Sequence, residues 1–433
     1  MISFMKIALI NHGCPKNLVD AELILGHLQK NGYSITFDYS QADLVIVNTC
    51  AFIHDAEKES VDSILEVINQ GKKVIVTGCL SQKYKKELKD AIPEIVGIFG
   101  TSDFNEILNA IKENSFNYDV KSEPNYVYPE DIERSHITMG SSAYLKIADG
   151  CNYSCGYCII PSLRGKYNSR KMENIIDEAK KLADKGVSEI VLIAQDTTYY
   201  GIDLYKKPML PQLLRKLNCI ENIAWIRIMY THPAMITDEL LDTISKCDKV
   251  VKYIDIPLQH SHPRILEIMN RPVMDYANLV EHIREKIPNV AVRTSLIVGY
   301  PTESEEEFEH LYRFVEKVRF DRLGVFTYSR EKGTSSYSMK PQILKKVKKE
   351  RQKRIMLLQQ KISKEINESF VGKTIPCMIE YITSDGFIVA RSQRDAAEID
   401  GLVYIKSDKN VIPGDIENVL ITSANEYDLF GKI

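Results

Sequence analysis

The stretch Ser142-Ala-Tyr-Leu-Lys-Ile-Ala148-Asp-Gly-Cys151-Asn-Tyr-Ser-Cys155-Gly-Tyr-Cys158 decides how this chain is to be read. Its first part, Ser142 to Ala148, reads as a β-strand ending at Asp149-Gly150, and three cysteines follow at once in a C-x3-C-x2-C pattern. Three thiolates so closely spaced can wrap three irons of a cubane cluster and leave the fourth iron without a protein ligand. An open iron is a place for chemistry. A structural zinc site is the alternative, but zinc normally closes its tetrahedron with four ligands, and neither a nearby fourth cysteine nor a paired histidine stands here.

Downstream, a helix is predicted near Met172 to Lys185, and strands near Glu189 to Ala194, Ala224 to Met229, Lys252 to Ile256, Val290 to Val298 and Arg319 to Phe326. Six strands alternating with helices imply a partial (β/α)6 barrel with its active site at the strand carboxyl ends. Upstream, short β-branched runs at Ile7 to Asn11, Leu44 to Asn48 and Val74 to Thr77 alternate with helical stretches, the pattern of a parallel α/β sheet. Each run is followed within a few residues by a cysteine: Cys14, Cys50 and Cys79. Carboxyl ends of parallel strands lie along one edge, so this fold can gather cysteines that are far apart in sequence. Residues from about 118 to 137, with Pro124 and Pro129, read as a linker. Lys345 to Lys364 reads as a long basic helix with Ile355, Leu358 and Ile362 as its buried stripe. Alternating segments after Phe370 suggest a small antiparallel β-barrel of about five strands. The expected class is α/β, divided as residues 1–135, 136–368 and 369–433.

Composition narrows the function classes. The formal charge of -3 speaks against a strongly basic nucleic-acid binder, and no run approaches the roughly 20 apolar residues of a membrane span. Met1 to Ile10 is apolar but short and without a basic leader, so it reads as the first strand of a cytoplasmic protein. Nine cysteines, an odd number, point to metal or redox chemistry more than to a disulfide framework.

With the Cys151, Cys155, Cys158 loop after the first barrel strand, the chain resembles the radical S-adenosylmethionine enzymes. The added trio Cys14, Cys50 and Cys79 and the barrel after Phe370 make it similar, over essentially its whole length, to the methylthiotransferases of that superfamily. The resemblance implies two 4Fe-4S clusters, one held by Cys151, Cys155 and Cys158, which binds S-adenosylmethionine, and one held by Cys14, Cys50 and Cys79, which serves sulfur delivery. It also implies a reductant such as flavodoxin or ferredoxin, a sulfur source, and a last domain of the TRAM type. Members act on an adenosine in transfer RNA or on an aspartate in the twelfth protein of the small ribosomal subunit. Gly13-Cys14-Pro15-Lys16-Asn17-Leu18-Val19-Asp20 and Ile160-Pro161-Ser162-Leu163-Arg164-Gly165, followed by Ser169-Arg170, resemble the ribosomal-protein branch. The transfer-RNA branch typically has Gln-Met in place of Pro15-Lys16. From Phe370 to Ile433 six Lys or Arg face ten Asp or Glu, a balance that suits a basic protein better than RNA phosphates. Transfer-RNA methylthiolation and a non-enzymatic electron carrier stay as alternatives, although a carrier usually closes its clusters with four protein ligands.

Other residues carry weaker signals. Cys219, Cys247 and Cys377 match neither trio and read as packing. Gly299 and Pro301, in Val298-Gly299-Tyr300-Pro301-Thr302-Glu303, either make a turn or line S-adenosylmethionine, a region the resembling family uses. His260, in Asp255-Ile-Pro-Leu-Gln259-His260, reads as a satisfied polar residue before it reads as a catalyst. The run Lys345 to Arg354, with seven basic residues and one acidic, reads as a solvated helix face, with contact to ribosomal RNA through 345–364 the alternative.

Overall fold

The computed structural model describes residues 5–121, 123–130, 133–137, 140–407 and 409–433. The chain forms two compact units: Met1–Ile137 with Ala148–Ser154 and Cys158–Arg170, and Thr138–Ile147 with Cys155–Tyr157 and Lys171–Ile433.

In the first unit, β1 (Lys6–Asn11), α1 (Pro15–Lys30), β2 (Ser34–Thr36), β3 (Leu44–Thr49), α2 (His54–Asn69), β4 (Lys73–Gly78), α3 (Cys79–Ala91), β5 (Gly97–Ile98) and α4 (Phe104–Glu113) alternate. The strands form one parallel sheet in the order β2-β1-β3-β4-β5. All six residues of β3 are buried, which explains why it is a continuous apolar run instead of an alternating one. Burying each of Val45, Ile46 and Val47 contributes about 1.5–3 kcal/mol. The three cysteine-bearing runs are central strands. The short strands β2 and β5, which hydropathy did not reveal, are the sheet edges. Part of the segment expected to be a linker, at residues 122, 131 and 132, lies outside the described residues; its described residues are irregular but not loose: Val120, Tyr126 and Tyr128 are buried, and the Arg170 guanidinium lies 3.5 Å from the Tyr128 ring centroid.

In the second unit, Trp225–Ile228, Glu189–Ile193 and Ser142–Lys146 form one parallel sheet in that order, and Tyr253–Asp255, Ala291–Val298 and Arg322–Thr327 form another. A parallel bridge between Ile226 and Val250 joins them, so the six expected strands run in succession. The last begins at Arg322 and not at Arg319, because Arg319 takes a left-handed conformation (φ 53°) that caps the preceding helix Glu305–Val318. The basic helix extends over Lys345–Glu368. Strands Thr374–Ile382, Ile388–Ser392, Val403–Ile405, Leu429–Lys432 and Ile416–Ala424 close a five-stranded barrel in that order. It is antiparallel except where Val403–Ile405 pairs parallel with Leu429–Lys432.

Buried ion pairs fasten this small barrel to the amino ends of the six strands. Glu189, the first residue of its strand and fully buried, accepts from Arg227 Nε at 2.8 Å and from Arg391 of the small barrel. Tyr253 Oη donates to Asp400 at 2.7 Å, and Arg322 Nε donates to Asp395 at 2.8 Å. Burial pushes the Glu189 carboxyl up, but Arg391 and Arg227 outweigh it and bring it down to about 2. This lowered value contributes stability that is complete above the ordinary glutamate range and is lost as pH falls toward about 2.

Replacing Glu189 by Gln leaves buried Arg227 without a carboxylate and Arg391 with Glu380 alone, and breaking a buried pair in this way costs about 3–5 kcal/mol. The expected outcome is a large fall in thermal midpoint at neutral pH, with early proteolytic release of the small barrel. The wild-type advantage should shrink in a pH series taken below 4. An unchanged midpoint would show that the handle is dispensable.

Candidate active site

The first cysteine trio stands on the carboxyl edge of the first unit's sheet. Cys14 caps α1, whose first residue is Pro15, an amide that needs no partner at that position. Gly13 adopts φ +100°, and a Cβ there would lie 2.9 Å from Cys50 Cβ and 3.0 Å from Cys50 Sγ. Only glycine lets the Cys14 turn come this close to Cys50. Asn17 fixes the arrangement: its Nδ2 donates to His12 O and to Thr49 O, both at 2.9 Å, tying the turn after β1 to the end of β3. Thr49 Oγ1 then donates to Thr77 O at 2.6 Å, tying β3 to β4 just before Cys79.

Cys14 is exposed, whereas Cys50 and Cys79 are buried. Burial pushes the Cys50 thiol up to about 12; the Phe52 backbone N–H opposes this, and Cys79 and Cys14 add to it. Burial likewise raises Cys79, with the Arg164 guanidinium opposing. All three donors are thiols, which suits soft iron. Among the described residues, no three His, Cys, Asp or Glu side chains converge as ligands of one ion would. A cubane asks for a more open trio, since each thiolate binds its own iron. The three thiol donors, the glycine cradle and the adjacent guanidinium fit a cluster.

In the sequence Arg164 stands only within the short signature Ile160 to Gly165, yet it is the hub of this site. Its Nη1 donates to Asp20 Oδ2 at 2.6 Å and to Asp149 Oδ2 at 3.0 Å, and its Nη2 donates to Asn17 Oδ1 and to Cys79 Sγ, the latter at 3.7 Å. Arg164 ends the short helix Ile160–Arg164, and the following carbonyl, Gly165 O, accepts from Cys151 N at 3.1 Å. Gly150 has φ +80°, and a Cβ there would lie 2.1 Å from Lys166 O, so the entry to the second cysteine loop also requires glycine.

Cys151, Cys155 and Cys158 are all half-buried. Tyr153 N donates to Cys151 Sγ at 3.4 Å. In the second unit, Arg271 Nη2 donates to Pro257 O at 2.7 Å, and the nearby Cys155 side chain favours the charged form of this guanidinium. Gly156 is clamped on both sides: its N donates to Met269 O at 2.9 Å, and its O accepts from Ser336 N at 3.0 Å.

The weaker candidates separate. Gly299 (φ +72°) is buried, and a Cβ there would lie 2.4 Å from Lys348 Cγ, so packing already accounts for this glycine. Pro301 is also buried. Glu303 Oε2 accepts from Gly299 N at 2.7 Å and from Tyr300 N at 3.1 Å, fixing that turn. His260 is fully buried, its Nδ1 accepts from His262 N at 3.0 Å, and burial lowers it to about 3, so it stays neutral. Cys247 and Cys377 are buried, while Cys219 is exposed.

The description "Radical SAM superfamily" matches residues 145–315, "Uncharacterized protein family UPF0004" matches 6–100, and "TRAM domain" matches 371–433. Ribosomal protein uS12 methylthiotransferase RimO from Caldanaerobacter subterraneus is 51% identical over 99% of each chain. Those of Clostridioides difficile and Aquifex aeolicus are 47% and 45% identical over 99% of this chain and 99% and 97% of their own. The chain belongs to the RimO family. It is a radical SAM enzyme, with S-adenosylmethionine and 4Fe-4S clusters as its cofactors. The solved methyltransferase TsrM from Kitasatospora setae, titled as holding cobalamin and a [4Fe-4S] cluster, has a TM-score of 0.57 at 15% identity and 77% coverage of each chain, a likeness of fold alone.

Burial separates the thiols of the metal-free RimO-family chain. With iodoacetamide at neutral pH, Cys14 should alkylate at least about tenfold faster than Cys50 and Cys79, because only exposed thiols with accessible thiolate react quickly. Mass spectrometry of timed digests reads the order, and equal rates would contradict the described burial.

Proposed function

We propose that this chain replaces a hydrogen on the β-carbon of an aspartate in ribosomal protein uS12 by a methylthio group. The carrying observation is collinearity: the relative of that name is 51% identical across 99% of both chains. In this reading Cys14, Cys50 and Cys79 hold one 4Fe-4S cluster, and Cys151, Cys155 and Cys158 hold the second. When bound, the second would supply the electron that splits S-adenosylmethionine into methionine and a 5'-deoxyadenosyl radical, which takes the hydrogen to become 5'-deoxyadenosine; the first would supply sulfur, and a second S-adenosylmethionine would supply the methyl group. Radical chemistry suits the target, because a β-carbon C–H is far too weakly acidic for a side-chain base near neutral pH. The chain's own groups position and shield. Asn17 and Thr49 hold the three strand ends together, Gly13 and Gly150 let both cysteine turns close, and buried Arg164 supplies positive charge beside Cys79.

The remaining partners follow from this chemistry. A one-electron donor such as flavodoxin or ferredoxin and a source of sulfur are needed, and a ribosomal-protein substrate suits a cytoplasmic enzyme. No described helix is long and apolar enough to cross a membrane. Gly299 and Pro301 are proposed to line S-adenosylmethionine through their backbone. Part of the basic helix is internally engaged, since Arg351 pairs with Glu303 at 2.7 Å and Arg354 with Glu309 at 2.5 Å. Lys345, Lys346, Lys349, Lys353, Lys361 and Lys364 are its exposed lysines, and ribosomal RNA is proposed to meet them.

Reduced, reconstituted enzyme is to be incubated separately with a uS12 peptide carrying the target aspartate and with an unmodified anticodon stem-loop. A gain of about 46 Da, the replacement of H by SCH3, is expected on the peptide. Modification of the RNA alone would overturn the substrate assignment. The Cys14, Cys50, Cys79 triple alanine variant should still release 5'-deoxyadenosine but yield no methylthio product. Normal product from that variant would remove the trio from sulfur delivery.

A further inference from the structure

Arg164 reaches beyond its two ion pairs to a cysteine sulfur of the first trio. Its guanidinium lies 2% exposed within the first unit and serves four acceptors at once: Asp20, Asp149, Asn17 and Cys79. Asp20 Oδ1 is in turn held by Tyr126 Oη at 3.0 Å, and Asp149 Oδ1 accepts from Gly150 N at 2.8 Å. The two carboxylates thus anchor one half of the fork and aim the other half at the Cys79 sulfur. A lysine ammonium could neutralise the charge but could not fill this planar set of positions. N–H donors to cluster sulfurs are among the factors that set the reduction potential of an iron-sulfur centre, because they stabilise the more negative, reduced state.

We propose that Arg164 is a positioning residue of the amino-terminal cluster: it donates an N–H to the Cys79 thiolate, raises that cluster's reduction potential, and through Asp149 couples this sulfur to the turn that starts the second cysteine loop. The inference rests on the assignment of Cys14, Cys50 and Cys79 as cluster ligands. It concerns the chain's own guanidinium and adds a role that the signature Ile160 to Gly165 did not disclose.

The test uses the full chain with Cys151, Cys155 and Cys158 changed to alanine, so that only the amino-terminal cluster is present. Iron near four per chain in that background upholds the underlying assignment whatever Arg164 does. Loss of all iron would overturn both. Nitrogen-15 arginine labelling with pulsed EPR of the reduced cluster should show a hyperfine coupling that Arg164→Lys abolishes. In a redox titration, Arg164→Met combined with Asp20→Asn, which leaves one fewer bare carboxylate in the core, should lower the reduced-to-oxidised ratio at fixed potential by about tenfold, or 59 mV for a one-electron couple. Arg164→Lys should retain part of the wild-type potential, and it decides the question if the double variant fails to fold. An absent coupling, a coupling that survives Arg164→Lys, or a midpoint unmoved in the folded variants would overturn the proposal.

Discussion

The buried guanidinium of Arg164 is the constraint on which the site depends. An ion placed in a protein core costs several kcal/mol unless it is paired and hydrogen-bonded, and here two carboxylates, an amide oxygen and a thiol surround it. Satisfying it requires Asp20 and Asn17 on α1, Asp149 before the second cysteine motif and Cys79 at the start of α3 to meet in one place. Those residues span the start of α1, the end of β4 and the entry to Cys151. One pairing requirement therefore sets the positions of loops that sequence leaves far apart.

The parallel sheet makes that requirement achievable. Because β1, β3 and β4 are neighbours, the turns at their carboxyl ends stand side by side, and Asn17 and Thr49 bridge them by hydrogen bonds to backbone carbonyls. Charge is allotted differently at the other end of the chain. The small barrel's acidity suggested an outward surface for a basic partner, but Asp395, Asp400 and Glu380 face Arg322, Arg293 and Arg391 within the same unit. Part of the negative balance is thus an internal fastening at the strand amino ends, the end of a barrel away from its chemistry. The substrate assignment consequently rests on whole-chain similarity more than on that charge count.

Most of the architecture was legible because it follows from local pattern. Leu44 to Thr49 is β-branched, continuous and followed by a cysteine, and Cys151 to Cys158 carries its spacing in eight residues. What escaped reading depends on partners distant in sequence. The edge strands Ser34–Thr36 and Gly97–Ile98 are defined by backbone pairing to β1 and β4 and have no hydropathy of their own. Arg164 looks like an ordinary basic residue after a short apolar run, and its partner Asp20 lies 144 positions away. The basic run at Lys345 suggested a solvated face, yet Arg351 is buried against Glu303, a contact that only tertiary structure creates. Gly299 is explained by the neighbouring Lys348 side chain, which no local motif announces.

The central claim is that one chain carries two separate three-cysteine cluster sites. Mössbauer spectroscopy of anaerobically reconstituted, iron-57-labelled protein tests it most directly. Two cubane clusters and about eight irons are expected in the wild-type chain, about half of that in either triple-alanine variant, and essentially none when all six cysteines are replaced. Full iron in either triple variant, or a single cluster in the wild-type chain, would contradict it.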